Sequence, residues 1–98
     1  MKRETLKKEI DNIIISECGF SPEYFKSKTE SCLVQEEFLK DPLTSYNIIS
    51  SIEKRCGVLV NDEVLLYKPN ITYAEFIDMF YNEIEREHKT VKLTKEDL

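Results

Sequence analysis

At 98 residues, with 19 acidic against 14 basic side chains and a net charge of −5, the chain allows one small domain with a single core. That charge disfavours nucleic acid and anionic membrane surfaces and favours basic protein patches. Cys18, Cys32 and Cys56 are odd in number and form no C-x-x-C pair, which fits reduced, half-buried thiols of a cytoplasmic protein and argues against a disulfide frame or a zinc site.

The opening stretch, MKRETLKKEIDN, has no apolar run behind its charges. No segment of the chain approaches the roughly 20 apolar residues of a membrane span, so neither export nor insertion is expected. The first predicted helix covers residues 5–18, with Leu6, Ile10, Ile13 and Ile14 on one stripe, Lys7, Lys8, Asp11 and Glu17 towards water, and Ile15 at the margin. Gly19 follows it, as Gly57 follows a later apolar pattern, and both fit the left-handed position that closes a helix.

In FSPEYF, Ser21 and Pro22 supply a cap and a first helical position for one short turn ending near Phe25. KSKTESCLVQEEFLK begins as a polar loop and then carries Leu33, Val34, Phe38 and Leu39, which must pack on the core whether or not they form regular helix. KDPLTSYNIISSIEKRCG has both helix ends written in: Asp41 as N-cap, Pro42 as first residue and Gly57 as stop. Between them Tyr46, Ile48, Ile49, Ile52 and Cys56 recur at three- and four-residue spacings, a stripe expected to face the core.

Val58, Leu59 and Val60 are strand formers with no partner strand, so they fit an apolar connection into a very short helix over 61–67, capped by Asn61 with Asp62 and Glu63 in its first turn. Pro69 ends that segment. TYAEFIDMFYNEIE then opens the last helix with a capping box, Thr72 and Glu75, and a stripe of Tyr73, Phe76, Ile77, Phe80 and Ile84. The charged tail over 86–98 is expected to fray, leaving a core over about 5–85 of a single domain, 1–98.

This order of elements resembles the acyl carrier protein family, including peptidyl and polyketide carrier domains, over about residues 5–85. Carrying the resemblance are LKKEIDNIIISECGF as opening helix, with Cys18, Gly19 and Phe20 in its closing turn, the D-x-L start at Asp41 and Leu43, and the capped last helix. It implies an all-α, four-helix acyl-carrier-protein-like bundle of three main helices and a very short one, with a long loop between the first and second. In that family the serine of a D-S-L motif carries 4′-phosphopantetheine. Here Pro42 stands at the serine position, which keeps the helix start but removes the oxygen nucleophile, so no cofactor is expected there. Ser45 shares a helix face with Pro42 at roughly 5–6 Å and is the alternative attachment point, although a misplacement of about 1 Å can cost a transferase ~10²-fold.

The second helix of a carrier is typically an acidic docking surface. Over 41–56 this chain sets Asp41 and Glu53 against Lys54 and Arg55, and its acidic charge lies in Glu36, Glu37, Asp62, Glu63 and the last helix. Leu43, Tyr46, Asn47, Glu53, Asp62 and Glu63 are the candidate partner-binding residues. His88, the single histidine, has no metal-ligand pattern around it and fits a solvated side chain. EIEREH alternates in sign as solvated helix faces do. With no Ser-His-Asp order, Gly-rich phosphate loop or H-E-x-x-H, neither an enzyme nor a metal site is expected.

Three functions compete. The first is a cargo-free, carrier-like monomer in the cytoplasm that binds acyl-, polyketide- or peptide-assembly enzymes. The second is a cargo-bearing carrier modified at Ser45 or another hydroxyl, with 4′-phosphopantetheine as cofactor. The third is an acidic inhibitor or immunity-type protein that neutralises a basic enzyme through Tyr24, Tyr67, Tyr73 and Tyr81 as anchors, set against the plainer role of boundary tyrosines with wet hydroxyls.

Overall fold

A computed structural model describes residues 2–26, 29–61 and 70–97, with side chains at all of these except Lys26 and 88–97. The described elements are α1 (Arg3–Cys18), α2 (Pro22–Lys26), α3 (Val34–Glu37), α4 (Pro42–Cys56) and α5 (Tyr73–Asp97). The chain is an all-α bundle. Among the described residues the one extended pairing is an isolated antiparallel bridge between Leu33 and Thr72. The expected short helix over 61–67, with Asp62, Glu63 and Tyr67, falls outside them save for Asn61.

The sequence periodicity translates directly into packing. Helix α1 packs against α2, α4 and α5, and α4 also meets α5. Buried at their junction are Leu6, Ile10 and Ile14 from α1, Ile48, Ile49 and Ile52 from α4, and Tyr73, Phe76, Ile77 and Phe80 from α5, while Phe25, Val34 and Phe38 close one end. Gly19 and Gly57 both take φ 70°, and each donates its N–H back to the helix it terminates. All three cysteines are half-buried and outside any disulfide. Burial first, with Glu17 beside Cys18 and Glu9 near Cys56, raises both of those thiols above the ordinary value.

The loop before α4 does more than pack. The carbonyls of Cys32 and Glu30 accept the Tyr73 and Ala74 N–H groups at 2.8 Å each. Two of the donors that a helix N-terminus leaves without partners are thereby satisfied. Thr72 and Glu75 complete the expected capping box, the Thr72 N–H donating to Glu75 Oε1 at 3.2 Å and the Glu75 N–H to Thr72 Oγ1 at 3.2 Å. Arg3 clamps the same region to α1, its Nε 2.7 Å from Asp78 Oδ1 and its Nη2 2.7 Å from Glu30 Oε1. These bonds raise the guanidinium further above its ordinary pKa.

Three expectations are corrected. Lys7 and Asp11, expected to face water, are half-buried, because the hydroxyl of buried Tyr73 needs an acceptor and finds it in Asp11. Tyr46 is 66% exposed and stands outside the core stripe. At about 100° per residue it lies roughly 120° round the helix from the middle of the Ile48, Ile52 and Cys56 row. Helix α1 begins at Arg3, ahead of residue 5. Helix α5 runs to Asp97. Neither glycine nor proline interrupts it, and Arg86 pairs with Glu83 one turn back at 2.8 Å.

Replacing Ile52, fully buried at the junction of the three long helices, with alanine is expected to destabilise the fold by about 2–5 kcal/mol. Urea melts measure this, and coincident curves for variant and parent would mean that α4 packs by another face.

Candidate functional site

The outer face of α4 gathers the candidate residues. Its start is fixed by Asp41, whose Oδ2 accepts the Thr44 N–H at 2.9 Å and the Thr44 hydroxyl at 3.0 Å, while its carbonyl receives the Ser45 N–H at 2.9 Å. Pro42 follows at the first helical position, where a missing N–H costs nothing. Asp41, Pro42 and Leu43 are all exposed, so the helix start is an accessible corner.

Leu43, Tyr46, Asn47, Ser50 and Lys54 lie at three- and four-residue spacings on one side of this helix, opposite the buried isoleucines. Leu43 is 68% exposed, an uncommon placing for a leucine beside an equally exposed tyrosine. Ser45 is half-buried and so less accessible than Pro42. Its position does not reproduce the corner that the proline occupies.

Glu53, a candidate partner-binding residue, also holds the backbone. Its carboxylate accepts the Val60 N–H at 3.0 Å, and its carbonyl accepts the Gly57 and Val58 N–H groups, so it holds the chain that leaves α4. That turn buries Val58 and leaves Leu59 77% exposed. Leu59 then borders a shallow groove of about 490 Å³ with Ser50, Lys54 and Glu87. From the sequence Leu59 reads as part of an apolar connection. Val58, Leu59 and Val60 are all apolar, so nothing in the sequence marks which of them turns outward.

Arg55 bonds Glu9 of α1 at 2.8 Å, which raises the guanidinium pKa and takes one of the helix's two cations into fold contacts. The outer face is therefore nearly neutral and partly apolar, unlike the strongly acidic rest of the chain. Of the tyrosines expected as anchors, Tyr24 is 48% exposed, Tyr81 is half-buried against the core and Tyr73 is buried, so they do not form one exposed set. Among the described residues no cluster of histidine, cysteine and carboxylate side chains could hold a metal ion, and no helix is long and apolar enough to cross a membrane.

Comparison with protein-family models, curated proteins and solved structures finds no match for this chain.

Replacing Asp41 with alanine removes both bonds to Thr44 and is expected to cost about 0.5–2 kcal/mol in a thermal or urea melt. No loss would mean that Pro42 alone sets the start of the helix.

Proposed function

We propose that this chain is a carrier-protein-like helical bundle that bears no prosthetic group at the usual position and acts by binding other proteins, within an acyl, polyketide or peptide biosynthetic system. The observation that carries the proposal is the accessible corner at the start of α4, where an Asp41 cap, Pro42 and exposed Leu43 stand in the order of the carrier D-S-L motif with proline in place of serine. Support for a binding role comes from the neighbouring face, where Leu43 and Tyr46 offer apolar surface with little net charge. Contacts of that kind derive most of their strength from desolvation, so partner binding is weakly dependent on salt.

The cargo-bearing alternative needs Ser45 or another hydroxyl as nucleophile, and the half-buried position of Ser45 speaks against that residue. The inhibitor alternative loses Tyr73 as an anchor and retains the acidic surface.

Incubation with coenzyme A and a broad-specificity phosphopantetheinyl transferase is expected to leave the intact mass of the protein unchanged. Replacing Pro42 with serine is expected to preserve the Asp41 cap and the fold and to permit one phosphopantetheine adduct, read by the same mass measurement. An adduct on the unaltered protein would overturn the cargo-free proposal, and its mapping to Ser45 would establish the alternative.

A further inference from the structure

A second concave site lies away from α4. Between α1 and α2 is a cleft of about 480 Å³, within the range of about 300–1,000 Å³ that small-molecule sites occupy. Ile15, Pro22 and Phe25 give it an apolar wall. That wall is backed by ring contacts, Phe25 stacking on Phe20 with centroids 6.1 Å apart and Phe20 meeting Tyr24 at 5.3 Å. Lys7, Lys8, Asp11 and Asn12 supply its polar side.

The polar groups are unequally engaged. Both oxygens of Asp11 are already in use, Oδ2 by Lys7 Nζ at 2.8 Å and Oδ1 by the Tyr73 hydroxyl. Lys7 is further held over the Tyr73 ring, 5.8 Å from its centroid. Lys8 makes no ion pair or hydrogen bond among the described residues, and the Asn12 amide is exposed. Since an ammonium offers three donors and no acceptor, Lys8 brings donors alone, and the Asn12 amide adds two donors beside its acceptor oxygen. Two lysines against one aspartate also leave a single positive charge in a chain whose net charge is −5.

We propose that this cleft binds a small monoanion with a compact apolar body, a carboxylate whose charged end takes the donors of Lys8, Lys7 and Asn12 while its apolar end lies against Ile15, Pro22 and Phe25. A monoanion leaves the site neutral. A dianion would leave one uncompensated negative charge in an already acidic protein, and a neutral molecule would cover the Lys8 ammonium without a charge to offset it.

The test is a titration of ¹⁵N-labelled full-length protein with 3-phenylpropionate, followed by amide chemical shifts, with 3-phenylpropanamide and inorganic phosphate as comparison ligands. Saturable shifts are expected over residues 7–15 and 22–25, with the neutral amide at least about tenfold weaker and phosphate weaker than the carboxylate. Lys8→Gln is expected to weaken the carboxylate at least about threefold and to leave the urea midpoint unchanged, because Lys8 is exposed and takes no part in the described contacts. The proposal is overturned by shifts that do not saturate up to about 20 mM, by an amide or phosphate that binds as tightly as the carboxylate, by shifts centred on α4, or by unchanged affinity in Lys8→Gln.

Discussion

The hydrogen bond from the Tyr73 hydroxyl to Asp11 is the contact on which the arrangement of the bundle turns. Tyr73 is the first residue of the longest helix and is almost fully buried, so its phenol enters the core and must find an acceptor there. An unsatisfied buried hydroxyl would cost about 1–3 kcal/mol, a sizeable part of the stability of a small domain. Asp11 on α1 meets the need, and Lys7 offsets the carboxylate charge one turn away. Burial first, and then the bond to Asp11, push the phenol well above its ordinary pKa. The stabilisation is thus fully present below about pH 10, the ordinary value for a phenol, and is lost as the pH rises beyond it, because the unfolded chain then releases a proton that the folded chain retains.

Around that ring the rest of the fold takes its position. Phe25 of α2 and Phe38 after α3 meet Tyr73 edge-on at 5.8 and 5.3 Å, and the Tyr73 N–H is received by the Cys32 carbonyl. The irregular stretch between α1 and α4 is thereby fastened at both ends of a short segment, which places Asp41 at the edge of the bundle. Helix α4 follows with its isoleucines inward, its C-terminal turn tied to α1 through Arg55 and Glu9, and Leu43 and Tyr46 outward. The face proposed for partner binding is what remains of α4 once the core has taken its share.

The helices and their ends were legible because they are written in local chemistry. Asp41 with Pro42, Thr72 with Glu75, and the two glycines are each recognisable within a few residues, and the isoleucine and phenylalanine stripes carry the 3.6-residue period. Long-range polar pairing was not legible. Nothing local marks Asp11 as the acceptor for a tyrosine far along the chain, or Arg3 as the clamp between Glu30 and Asp78. For the same reason Lys7 and Asp11 read as solvent-facing, and the cleft beside them has no local signature. Tyr46 departs for a different cause: it lies three residues before Ile49 and so shares the spacing of the stripe, although its angular position lies outside it. At the candidate site the cap, the proline and Leu43 were readable, while Glu53 holding the Val60 N–H and Leu59 turning outward depend on how the chain leaves Gly57.

A double-mutant cycle between Tyr73→Phe and Asp11→Ala, with stabilities from urea melts at pH 7, tests the central contact most directly. The two single changes are expected to destabilise the protein and the pair to cost less than their sum, with a coupling of at least about 1 kcal/mol in favour of the native pair. Costs that add to within about 0.5 kcal/mol would contradict the central role of this bond and place the cohesion of α1 and α5 in apolar packing alone.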